Sequence, residues 1–340
     1  MRRGAVGRRS KMLNYNGALL PGGGTQIGRG RIIMLHPEQN LSDDELALAF
    51  DRESVRQIAP NANQNYIVGV GGSGHLITSL LERNKITGRV LSMAANEVIS
   101  DNLSNLLGNH ERRSIHVNDH LGNLPEICHE HGFCDVSGIV INMMNNKVRY
   151  DFEGWLFVNR ELNLKVSETM PENAIEFLET LTRDDLELIL NEACEPYAPV
   201  IADALVKKRH CEPITDVEKL ALRITECMPG EDWFRKEEAF YRFILSLKDH
   251  INSESSSLCT ALDSCAELLN LGGTLVVVTC TEQQQKVVRN KIENVRSCWH
   301  KLTRFPITPL NSEKEKYPWT QWAQLNAYRL INKPVTKKSA

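Results

Sequence analysis

The sequence predicts an α/β protein: a parallel sheet covered by helices on both faces, with an all-helical block inserted partway along it. Three observations carry that expectation. Short apolar strands alternate with amphipathic helices through the first 150 residues, a strand-free run of helices occupies the middle, and an apolar strand at Thr274–Thr279 resumes the alternation. Length and composition agree with a folded chain of this kind. The 340 residues are 41% apolar and 24% charged, ordinary for a globular protein and incompatible with disorder throughout. The best apolar run, Leu275-Val276-Val277-Val278, falls far short of the roughly 20 residues that cross a bilayer, so no membrane span or membrane partner is expected.

Taken in order, residues 1–34 read as a basic arm. The first 35 positions hold seven Lys/Arg (Arg2, Arg3, Arg8, Arg9, Lys11, Arg29, Arg31) and no acid. An Arg-rich, acid-free start is similar to a mitochondrial transit segment, drawn inward by the membrane potential; the alternative is a basic arm that grips phosphate. The other 33 basic and 43 acidic residues leave the body at −10, which disfavours indiscriminate attraction to nucleic acid and restricts RNA contact to local patches.

Ser42-Asp43-Asp44-Glu45 is a capping-box pattern opening a helix through Leu46, Ala49 and Phe50. A turn-rich linker at 61–65 leads to a strand, Tyr66–Val68, then the glycine loop Gly69–Gly74 and a helix carrying Leu76, Ile77, Leu80 and Leu81. Strands at Arg89–Met93 and Val136–Met143, with helical stretches between them, complete a Rossmann-like half. Helices follow at Glu172–Thr180, Arg183–Ala193, Pro199–Arg209 and Val217–Cys227, the last opened by a second capping box, Thr215-Asp216-Val217-Glu218. A longer helix, about Asp232–Ile251, leads to another ending in Leu268-Leu269-Asn270-Leu271-Gly272-Gly273, where a glycine suits a left-handed cap. The expected domains are therefore an α/β unit over 35–150 and 240–332, a helical insert over 151–239, and a polar tail over 333–340.

Gly69, Gly71 and Gly74 satisfy G-x-G-x-x-G between a strand and a helix, where absent side chains let a ligand approach the helix N-terminus. Two enzyme classes fit, a dinucleotide enzyme and a methyltransferase holding S-adenosylmethionine. Both want an acid at the end of the next strand to accept from the ribose hydroxyls. Here the residues are Met93-Ala94-Ala95-Asn96, with Glu97 only afterwards. No hydride-transfer constellation accompanies the glycines, which disfavours a nicotinamide enzyme. Nine cysteines, scattered and without a Cys-x-x-Cys pair, speak against a disulfide framework. The group His116, His120, Cys128, His129, His131 and Cys134 follows no common zinc spacing, so no metal is expected.

Within the helical block, Ala174–Leu178, Asp185–Leu190, Ile201–Val206 and Glu212–Thr215 fall in the order and spacing of one family, as does the segment Leu268–Val278 beyond it. On these segments the chain, from about Asn65 to Arg289, resembles the bacterial and mitochondrial small-subunit ribosomal RNA (cytosine-N4) methyltransferases of the RsmH/MraW type. The resemblance implies a class I S-adenosylmethionine methyltransferase fold, Rossmann-like, with an inserted all-α domain.

The same resemblance shows the family's ionisable groups replaced. Its first motif, Asp-x-Thr-x-Gly-x-Gly-Gly-His-Ser, falls on Ile67 to Leu76, so that the Asp and Thr are lost while Gly71, Gly74 and His75 remain. The ribose-binding Asp falls on Ala94 and a second Asp on Asn96. Asp-Leu-Gly-x-Ser-Ser, beside the reacting base, becomes Asn142 to Lys147, and Leu-Asp-Met-Arg-Met becomes Leu162 to Val166, with Asn163 for its Asp. Ser-Phe-His-Ser-Leu-Glu-Asp-Arg becomes Thr279 to Lys286, with Thr281 for its His. A charge-assisted hydrogen bond contributes about 1.5–3 kcal/mol. Three or more neutralised positions therefore weaken binding of a cationic methyl donor by several powers of ten, even with partial additivity.

The resemblance thus implies a remnant pocket of Gly69, Gly71, Gly74, His75, Ala94 and Asn96 with no cofactor expected, and degenerate catalytic positions at Asn142, Asn163 and Thr281. Lys207, Lys208 and Arg209 close an insert helix, where cations suit the dipole; the resemblance adds RNA contact as a second role. The expected protein is a catalytically inactive assembly factor of the mitochondrial small ribosomal subunit, in the matrix, binding small-subunit rRNA and ribosomal or assembly proteins. Two alternatives stay open. One is an active, divergent rRNA methyltransferase that binds S-adenosylmethionine, with Asn142 or Asn163 orienting the base and Glu97 as ribose acid. The other is an inactive subunit paired with an active methyltransferase.

Overall fold

The computed structural model describes residues 44–70, 74–84, 87–108, 113–145, 164–167, 174–209, 211–228, 230–295, 297–309, 311, 314 and 320–334. The basic arm, Gly71 and Asn163 lie outside them. Helix α1 (Asp44–Ile58) precedes β1 (Tyr66–Gly69), α2 (His75–Arg83), β2 (Val90–Ala94), α3 (Glu97–Leu107), β3 (Ser114–Asn118), α4 (Leu124–Glu130) and β4 (Val136–Asn142). Helices α5 (Ala174–Thr180), α6 (Arg183–Glu192), α7 (Ala198–Lys207), α8 (Val217–Glu226), α9 (Trp233–Ile251) and α10 (Glu254–Leu268) separate β4 from β5 (Leu269–Thr279). Then come α11 (Glu282–Val288), β6 (Trp299–Lys301) and β7 (Gln324–Leu330).

Seven strands form one sheet in the order β3-β2-β1-β4-β5-β7-β6. Strands β1 to β5 run parallel, and β7 runs antiparallel to both β5 and β6. Period-2 alternation sends side chains to two separate cores, as both faces of a helix-covered parallel sheet require. Val68, Val140, Val276 and Leu325 join α1, α2 and the inserted helices on one face, while Ile67, Ile139, Val277 and Tyr328 join α4 and α10 on the other. Strand order reverses between β1 and β4, so the connections leaving their C-terminal ends diverge. That divergence opens the crevice where α/β proteins of this topology bind ligands.

The strand order is that of the expected class I methyltransferase fold, and the helices match the expected ones to within two residues at their described ends. Three features differ from the sequence reading. Strand β3 was not expected, because Ser-Ile-His-Val-Asn is polar at alternate positions and only half-buried along most of its length. Strands β6 and β7 were not expected either, since aromatic and polar residues obscure their alternation. The glycine cap is replaced by a direct passage from helix to strand. Leu269 is already extended, and Gly272, with φ of +83°, sits inside a bulge where the β4 partner register jumps from Val136↔Leu269 to Gly138↔Thr274. Strand β5 consequently begins at Leu269, five residues before the expected Thr274.

Candidate cofactor cleft

The cleft lies where the strand order reverses, between the ends of β1, β2, β3 and β4 and the turn joining α9 to α10. Val70, Ala94, Asn96, Asp119, Val166 and Glu254 are among its walls. Gly69 ends β1 against Leu121: a Cβ there would lie 2.8 Å from Leu121 Cδ1. Val70, which follows it, is held at φ of +61°, a costly conformation for a β-branched residue. Gly74, the N-cap of α2, has φ of +81°, and a Cβ there would meet Leu106 at 2.3 Å and Leu103 at 3.0 Å. That glycine therefore serves both backbone conformation and close helix packing. His75 begins α2 and is half-buried.

At the end of β2, Ala94 is buried and its carbonyl accepts from the Asp119 amide at 3.1 Å. Asn96 is the N-cap of α3: its Oδ1 accepts from the Ile99 amide at 3.0 Å, while its Nδ2 donates to the Val166 carbonyl at 2.7 Å. Glu97 accepts from Ser167 Oγ at 2.5 Å. The short segment 164–167 is held from the other side by Asn252, which accepts from the Val166 amide and donates to the Leu164 carbonyl, both at 2.8 Å.

Among the described residues, two carboxylates line the cleft, and both are engaged inside the fold. Asp119 Oδ1 accepts from the His120 amide at 2.6 Å and from Asn123 Nδ2 at 2.8 Å. Glu254 pairs with Lys248 at 2.9 Å, with both side chains buried, and takes a further hydrogen bond from Gln284 at 3.3 Å. Beside them, burial pushes the Asp249 carboxyl above its ordinary range despite hydrogen bonds from Ser255 and Gln284.

Asn142 and Thr281 are both held by contacts within the fold. Asn142 is fully buried; its Nδ2 donates to Asp51 Oδ1 at 3.2 Å and its Oδ1 accepts from the Met144 amide at 3.1 Å, fastening β4 to α1. Thr281 caps α11, accepting from the Gln284 amide at 3.1 Å. These groups do not match what a nucleoside sulfonium needs. The β2 end presents a methyl group where ribose hydroxyls seek an acceptor, and the nearest amide is committed to backbone.

The three candidate RNA-binding cations each have partners within the insert, Lys207 and Lys208 in exposed ion pairs. Lys207 pairs with Asp203 at 2.8 Å, and Lys208 lies 3.4 Å from Glu226 and 3.6 Å from Glu212. Arg209 donates to the carbonyls of Leu178 and Leu181 at 2.8 and 2.7 Å, closing the end of α5. Among the described residues no three potential metal ligands come together, and no helix is long and apolar enough to cross a membrane. His116 instead bridges two hydroxyls, Ser92 and Ser100, each at 2.9 Å.

Asp119, Val166, Asn252 and Glu254 were not singled out in the sequence. Asp119 follows the strand that polar alternation concealed. The other three meet the cleft only through tertiary contacts.

A sequence profile described as the MraW methylase family matches residues 49–331 of this chain. The "Ribosomal RNA small subunit methyltransferase H" of Syntrophobacter fumaroxidans is 26% identical over 283 residues, covering 77% of this chain and 89% of its own. The protein of the same description from Dechloromonas aromatica is 29% identical over 256 residues, covering 70% and 77%. A putative rRNA methylase from Clostridium thermocellum, 12% identical, aligns with 84% of this chain and 97% of its own at a TM-score of 0.41. With the profile running over most of its length and the sheet order in agreement, the chain belongs to the MraW methylase family.

Proposed function

We propose that this rRNA methyltransferase-like protein is catalytically silent and acts as an assembly factor of the mitochondrial small ribosomal subunit, in the matrix. The observation that carries the reading is at the end of β2. The expected ribose acceptor is Ala94, and Asn96, two residues on, is spent on a helix cap and a backbone carbonyl. Methyl transfer to a cytosine amine requires a weak nucleophile aligned on the sulfonium carbon, and misplacement by about 1 Å can cost roughly 100-fold. Asn142, with both ends of its amide committed in the core, supplies no such alignment.

The body carries net negative charge, and the insert's Lys207 and Lys208 have acidic neighbours while Arg209 is bonded to backbone carbonyls. This favours basic ribosomal or assembly proteins as partners over broad contact with phosphate, with the arm and local patches touching rRNA. The Arg-rich, acid-free start supports import into mitochondria.

One observation favours a second reading. The named relatives are methyltransferases, and Asp119 does line the cleft, so an active enzyme would have to recruit that carboxylate for the nucleoside. The test is recovery of the tagged protein from mitochondria. Co-sedimentation with small-subunit precursors, and no methylation of small-subunit rRNA by the purified chain, is expected. Methylation of that RNA overturns the reading, and stoichiometric recovery with one active methyltransferase subunit replaces it with a heterodimer.

A further inference from the structure

We infer that the cleft takes a ligand from its own chain, the segment 164–167, and that Asn96 is the latch that holds it there. Both backbone groups of Val166 are bonded by side chains from opposite walls. Asn252 accepts from its amide at 2.8 Å, and Asn96 donates to its carbonyl at 2.7 Å. Asn252 also reaches back to the Leu164 carbonyl, so its amide group brackets the segment as a neighbouring strand would. Ser167 adds a third tie, to Glu97 at the first turn of α3. With its backbone held this way, the Val166 side chain is 7% exposed and forms part of the cleft wall.

The latch depends on an amide and not on a carboxylate. The α3 cap needs only an acceptor, which Asn and Asp supply equally. The tie to Val166 needs a donor, which only Asn supplies; an ionised Asp would set two oxygens against each other at hydrogen-bond distance. One nitrogen-for-oxygen exchange thus turns a capping residue into a clasp across the cleft. The three ties converge on the gap between the end of β2 and the α9–α10 turn, the space a nucleoside would enter.

The inference deepens the proposed function and rests on it only in naming the cleft a remnant cofactor site. Amide hydrogen exchange on the full chain tests the clasp directly, comparing Asn96→Asp with wild type. Exchange at the Val166 amide, which Asn252 holds, should accelerate about tenfold or more in the variant as the segment loosens, the order expected from losing one hydrogen bond and gaining a repulsion. Exchange at Ile99, still capped, and at Leu220 in the insert should stay unchanged. If Asn96→Asp unfolds α3, Asn96→Ser keeps a capping oxygen on a side chain one atom shorter than the one that reaches the Val166 carbonyl, and the same acceleration is expected. Protection at Val166 within about twofold of wild type in a folded variant overturns the clasp. That result leaves the proposed function standing, whereas wild-type binding of S-adenosylmethionine would fail the function and leave the exchange result to judge the clasp.

Discussion

Replacing a carboxylate by its amide keeps a side chain's shape and turns one of its acceptors into a donor. At Asn142 that donor faces the buried Asp51, so Asn142→Asp would set two carboxylates against each other in the core. Such a pair is costly whether it ionises or shares a proton. Asn142→Asp should therefore destabilise the chain by about 3 kcal/mol in urea unfolding at pH 7, and it should not generate activity. Gly74 offers a second test at this scale. A side chain there meets both a left-handed backbone and the Leu103 and Leu106 side chains. Gly74→Ala should cost about 2–4 kcal/mol by the same measurement, summing backbone strain and overpacking.

Among the elements, β2, β3 and α3 are tied by His116, whose ring joins Ser92 to Ser100. Burial holds this imidazole below its ordinary 6.5, so near and below that value the folded chain binds fewer protons than the unfolded one. The stabilising contribution is whole above about pH 6.5 and is lost as pH falls through that value toward the folded one. His116→Asn should flatten this acid sensitivity between pH 7 and pH 5 in thermal unfolding, while lowering stability at neutral pH. In the insert, Arg209 closes α5 through two carbonyls. Arg209→Ala should cost about 1.5–3 kcal/mol, and Lys207→Ala, whose ion pair with Asp203 is largely exposed, less than about 1 kcal/mol.

The sequence made most elements legible at this scale because amphipathic helices announce themselves. Val217, Leu220 and Ile224 mark α8 by spacing alone, and all three are buried. What it concealed was long-range: β3, polar at alternate positions, and the bulge at Gly272, whose glycine resembles a helix cap until the partner strand is known. Gly69 and Gly74 were legible as glycines between a strand and a helix, but the clasp was not. Asn96 and Asn252 stand 156 positions apart, and no local pattern says that both reach Val166.

Across the whole molecule, the fold keeps the sheet order and crevice of a methyltransferase. The end of β2 carries no carboxylate, Glu254 is paired with Lys248, Asp119 lines the crevice with one oxygen bonded to its own turn, and Val166 of the segment 164–167 forms part of the wall. Isothermal titration of the purified full chain with S-adenosylmethionine tests that account most directly: no saturable binding below about 1 mM is expected, whereas a dissociation constant in the micromolar range would contradict it.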